Sequence, residues 1–133
     1  MRNKLFYVVA FFLYACLGVR LYAFDFTYII SNGSIKITKY NGKGGVVVVP
    51  SAIEEKEVTA IGYEAFGECE SITKIILPDT ITTIEKGAFT WCVNLVEINL
   101  PDSIITIGGG AFSDCWKLSE IRLPKYLKII CNL

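Results

Sequence analysis

The stretch Leu95-Val96-Glu97-Ile98-Asn99-Leu100-Pro101-Asp102-Ser103-Ile104-Ile105-Thr106-Ile107-Gly108-Gly109-Gly110-Ala111-Phe112-Ser113-Asp114-Cys115 repeats itself in kind at a spacing of 23 residues. That offset superposes Ile61, Ile84, Ile107 and Ile130, then Ala65-Phe66, Ala88-Phe89 and Ala111-Phe112. It also aligns Ile72 with Leu95 and Leu118, Ile75 with Ile98 and Ile121, and Leu77-Pro78 with Leu100-Pro101 and Leu123-Pro124. Self-similarity at a fixed period of this length is the mark of a solenoid. The fold class expected is a β-rich solenoid of about three 23-residue repeats.

Within one unit, Ile98 and Leu100 stand two apart and share a face, while Glu97 and Asn99 point the other way, as in a strand. Proline cannot donate the next ladder bond, so the strand stops at Pro78, Pro101 and Pro124, and Asp79 and Asp102 supply turn chemistry. Ile104 to Ile107 forms a second short extended segment, glycines reverse the chain, and Ala111 to Cys115 makes one turn of α- or 3₁₀-helix that places Phe112 inside. Upstream, Ser31-Asn32-Gly33 between alternating apolar residues predicts a hairpin. Val46 to Val49, ended by Pro50, reads as a degenerate first strand. The spacing from Pro50 to Val58 is five residues longer than from Pro78 to Ile81, which marks an insertion where this cap joins the repeats.

Thirteen bases balance thirteen acids, and 53% of the residues are apolar. The chain lacks the basic excess of a nucleic-acid binder and contains no histidine, the commonest general base and metal ligand. No nucleophile elbow, phosphate loop or metal set is present, so no catalytic residue, metal or cofactor is assigned. The averages conceal two unlike parts. Residues 1–23 carry Arg2, Lys4 and Arg20, no acid, and an apolar run from Leu5 to Val19. That run is short for a membrane span and has the shape of a secretory signal. Cleavage before Phe24 is the preferred route; Cys16 as a lipidated first residue and an uncleaved anchor are the alternatives. Residues 24–57 are read as the N-terminal β cap with its degenerate strand, and 58–133 as the repeat array. The array is read as ending after Ile130 without a C-terminal cap, and the expectation is either an end open to self-association or a truncated paralogue or fragment.

The pattern L-x-x-I-x-L-P-x-x-I-x-x-I-x-x-x-A-F-x-x-C resembles the BspA-type leucine-rich repeat, from about Val58 to Ile130. The resemblance implies a leucine-rich repeat right-handed superhelix with a β-hairpin cap. It also implies a secreted or surface-attached protein without a membrane span after cleavage, adhering to host extracellular-matrix proteins or to another cell-surface protein.

Cys69, Cys92 and Cys115 share one column. A buried ladder of small thiols is the favoured reading, with disulfide pairing of adjacent rungs and metal ligation as alternatives. Binding falls to the residues that packing does not use. On the strand face these are Lys74 and Ile76, Glu97 and Asn99, and Glu120 and Arg122. Trp91, at the phase of Glu68 and Asp114, and Trp116, at the phase of Glu70, depart from the repeat and are contact candidates of the kind enriched at interfaces. Glu64, Glu68 and Glu70 cluster, but not at the spacing of a calcium loop.

Overall fold

The structure is a computed structural model that describes residues 25–130. The leader, Cys16 and Cys131 lie outside the described residues. The chain forms β1 (Phe26–Ser31), β2 (Ser34–Tyr40), β3 (Gly45–Val48), β4 (Ala52–Ile53), β5 (Lys56–Ile61), β6 (Ile72–Ile76), β7 (Thr83–Ile84), β8 (Glu97–Asn99), β9 (Thr106–Ile107) and β10 (Ile129–Ile130). One wall of the solenoid is the sheet β1-β2-β5-β7-β9-β10, with β4 also on β5; a second is β3-β6-β8.

The register shows the period directly. Ile61 pairs with Ile84, Ile84 with Ile107 and Ile107 with Ile130, all in parallel. On the second wall Lys74, Ile75 and Ile76 face Glu97, Ile98 and Asn99. Val46, Val47 and Val48 face the same three residues of β6 from the other side. That step is five residues longer than the repeat, and the excess is taken up by β4 and its turn.

The third wall is the Ala-Phe segment, and it is not a helix. Its amides alternate in direction. Ala65, Gly67 and Cys69 donate back three residues within their own rung, while Glu64, Phe66 and Glu68 donate forward to Lys86, Ala88 and Thr90 of the next. The second rung does the same, with Phe89 N to Ala111 O at 2.8 Å and Trp91 N to Ser113 O at 2.9 Å. Half the amides are thus committed to the neighbouring rung, so the successive i→i−3 turns cannot continue as a 3₁₀-helix.

The interior is made of columns. Ile61, Ile84 and Ile107 are fully buried, as are Ile72, Ile75, Leu95, Phe66 and Phe89. The aromatic column runs from Tyr40 to Phe66, Phe89 and Phe112, with ring centroids 5.3, 5.1 and 5.3 Å apart. Phe26 closes its first end, 5.6 Å from Tyr40. The Tyr40 hydroxyl accepts the Gly44 amide at 3.0 Å, and burial pushes its pKa up.

Two turns make the cap. Asn32 (φ 51°) and Gly33 (φ 78°) close β1 on β2 in the left-handed pair of angles that a two-residue hairpin favours. The insertion after Pro50 is a second hairpin, β4 on β5, closed by Glu54 (φ 50°) and Glu55 (φ 61°). Glutamate in this conformation carries a Cβ strain that asparagine and glycine largely escape. Replacing the pair, Glu54→Asn with Glu55→Gly, is expected to stabilise the protein by about 1 kcal/mol, read as a higher urea midpoint at unchanged slope.

Candidate protein-contact surface

The outward side chains of the second wall form two rows. Val46, Lys74 and Glu97 make one, and Val48, Ile76 and Asn99 the other. Lys74 Nζ lies 2.8 Å from Glu97 Oε1, the cross-rung pair that the spacing implies. Val46, Val48 and Ile76 are exposed at 62, 39 and 38% and form an apolar strip beside it. The two valines were missed as contact candidates, although their alternation with Val47 and Val49 puts them outside.

Asn99 has another task. Its Oδ1 accepts the Leu77 amide at 2.7 Å and its Nδ2 donates to the Leu77 carbonyl at 2.9 Å. One rung earlier Val49 N reaches the Ile76 carbonyl directly at 2.9 Å. The asparagine amide therefore continues the ladder where the strand ends before proline. Glu120 and Arg122 are exposed but belong to no strand, so the sheet face does not extend to them. Arg122 Nη2 instead approaches Asp102 Oδ2 at 3.9 Å, an exposed contact of little energetic consequence.

The cysteine column consists of free thiols. Cys92 Sγ donates to Phe66 O and Cys115 Sγ to Phe89 O, each at 3.1 Å and each across one rung. Cys69, half-buried, makes a longer contact with its own Gly67 O at 3.7 Å. The neighbouring Cys115 thiol, followed by burial, pushes the Cys92 thiol above its ordinary 9.0. Burial raises Cys69 as well, opposed by the nearby Lys39 ammonium.

The turn wall carries two columns of left-handed residues. The first is Glu64, Gly87 and Gly110, with φ of 46, 63 and 63°; the second is Glu68, Trp91 and Asp114, with φ of 60, 58 and 60°. This backbone projects Glu64, Glu68 and Trp91 outward. The two tryptophans, taken separately in the sequence, touch one another, with centroids 5.9 Å apart and planes at 58°. They remain 47 and 72% exposed. A shallow cleft of about 350 Å³ lies beside Trp91, lined by Lys39, Glu64, Gly67, Glu68 and Thr90. Sequence reasoning noted the acidic cluster but not the cleft. The available signal was Glu64, standing where the later rungs have glycine.

Stacked parallel rungs, an aromatic column and a hairpin cap define a leucine-rich repeat solenoid. Residues 50–132 match the family model described as a BspA type leucine-rich repeat region of six copies, and the chain belongs to that family. Among solved structures, a leucine-rich repeat protein of T. pallidum is 36% identical, covering 79% of this chain and 50% of its own, with a TM-score of 0.77. A leucine-rich repeat protein of Bacteroides ovatus is 33% identical over 77% of this chain and 29% of its own, at a TM-score of 0.71. A leucine-rich cell surface protein of Faecalibacterium prausnitzii is 27% identical over 73% and 28%, at 0.68. The chain spans half or less of the length of these three proteins. No curated protein matches it.

Asn99→Ala is expected to cost about 1–2 kcal/mol of unfolding free energy, because it strands both polar groups of Leu77, whereas Lys74→Ala costs at most about 0.5 kcal/mol; urea denaturation separates them. Cys92 is expected to resist iodoacetamide in the native state and to react on unfolding. Its folded pKa exceeds its unfolded one, so the stability linked to Cys92 itself is complete below pH 9.0 and falls as the pH rises beyond that value, opposed by the lowered pKa of Cys115. The difference in urea midpoint between the protein and Cys92→Ala across the alkaline range reads the Cys92 share.

Proposed function

We propose that this chain is an exported protein-binding array that acts at the cell surface and adheres to host extracellular-matrix proteins or to other cells. The observation that carries the reading is the second wall. Its inner side chains are consumed by the core, while Val46, Val48, Lys74, Ile76 and Glu97 form a regular outer face that the fold itself does not need. Solenoids use such faces for extended protein contacts.

Three further observations support it. The chain's family is one of protein-interaction repeats. One structural neighbour is described as a cell surface protein. Residues 1–23 have the basic start and apolar run of a secretory leader, with cleavage before Phe24 or lipidation at Cys16 as routes to the surface. Among the described residues no helix is long and apolar enough to cross a membrane.

The test is binding of the purified protein, shown to be folded by its unfolding transition, to immobilised matrix proteins and to intact cells. Saturable binding at about micromolar concentration is expected, weakened about tenfold or more by Ile76→Asp combined with Val46→Asp. Absence of binding to every matrix protein and cell type by the folded protein would sink the adhesion reading.

A further inference from the structure

We propose that the cleft beside Trp91 is a subsite for a basic side chain, arginine above all, carried by a protein partner. This rests on the reading of the chain as a protein-binding array and names a second contact point, on the turn wall rather than the sheet face.

Three features of the cleft converge on a cation. Trp91 lines it, and Trp116 of the following rung, which is not on the lining, lies against that indole and braces it. Indole is the best aromatic partner for a cation, and guanidinium stacks on it well. Glu68 stands one rung before Trp91 in the same left-handed column, with its amide bonded to Thr90 O at 2.9 Å. Rungs lie about 4.8 Å apart, so a guanidinium stacked on the indole comes within reach of that carboxylate. Glu64 supplies a second carboxylate, whose proximity to the Tyr63 hydroxyl pushes the Tyr63 pKa up.

The charges in the cleft do not neutralise one another. Among the described residues the ion pairs are Lys36–Glu85, Lys74–Glu97 and Arg122–Asp102, and neither Glu64 nor Glu68 enters one. Lys39 is the single cation on the lining, so two carboxylates outweigh one ammonium there. An anionic ligand would meet that excess; a cationic one complements it. The volume of about 350 Å³ is at the low end for a small-molecule pocket and is ample for one side chain of a partner.

Trp91 and Trp116 are the only tryptophans in the chain, so Trp116→Phe leaves Trp91 as the sole indole reporter. The experiment titrates the full chain, and this variant beside it, with capped Gly-Arg-Gly and, in parallel, capped Gly-Glu-Gly, following indole emission. Expected is a saturable change with the arginine peptide at about millimolar concentration and none with the glutamate peptide. Glu68→Gln and Glu64→Gln, both at exposed positions, each raise the midpoint about threefold, and Lys39→Ala lowers it by a similar factor. Glu64→Gly is also expected to raise the thermal midpoint, by relieving the left-handed backbone, while weakening the peptide. No saturable response from the folded protein, an equal response to both peptides, or carboxylate variants with unchanged midpoints would each overturn the proposal. Arginine binding by a protein that captures no matrix protein or cell would sustain this subsite and remove the adhesion reading. Capture of a partner without any arginine response would do the reverse.

Discussion

The amide-to-carbonyl bonds that run from rung to rung are the constraint on which the rest of this structure depends. On the turn wall every second amide leaves its own rung, as Phe66 N does for Ala88 O and Phe89 N for Ala111 O, both at 2.8 Å. On the sheet walls the parallel ladders hold the same phase. A one-residue slip in any rung would turn its isoleucines outward, so the ladders and the columns enforce one another. The aromatic column shows the coupling: its 5.1–5.3 Å centroid spacings follow the rung spacing, and Phe89 is buried only because Phe66 and Phe112 cover its two sides. No rung could bury its own side chains alone.

Because that constraint writes itself into the chain as a period, much of the fold is legible in the sequence. The isoleucine columns, the Ala-Phe turns, the cysteine ladder and the Asn32-Gly33 hairpin all follow from residue type and spacing. The parts that are not legible are those where the ladder is continued by something other than the repeat. Tyr40 fills the first place of the aromatic column from 26 residues before Phe66, so no search at a period of 23 finds it. Glu54 and Glu55 make a tight turn without asparagine, glycine or proline, and only their angles reveal it. Alternation correctly puts Asn99 outside, yet its amide folds back onto Leu77, a matter of rotamer that spacing cannot show.

The candidate site was legible to a different degree. Lys74, Ile76 and Glu97 lie on the outer face where alternation puts them, because face alternation is a backbone property. Trp91 and Trp116 stood out as departures from the repeat, but their contact was hidden. They occupy different phases and meet across a rung boundary, which depends on the direction each side chain takes from a turn rather than from a strand. Glu120 and Arg122 failed as members of the face because the phase of a strand does not guarantee a strand. Around them the last described rung pairs on the first wall, through β10 on β9, and not on the second.

The cysteine column and the left-handed column beside it show how one backbone divides stability from recognition. Both sit on the same turn, one position apart in each rung. The cysteine position points inward, where Cys92 and Cys115 satisfy Phe66 O and Phe89 O across the rungs, and only a small side chain with a weak donor fits. The preceding position is left-handed in all three rungs and points outward, so the core places no demand on its side chain. Glycine would be the least strained choice there, yet the chain carries Glu68, Trp91 and Asp114. At that column the backbone strain brings the array no buried core side chain in return. What it secures is the outward presentation of two acids and an indole at regular intervals along one wall.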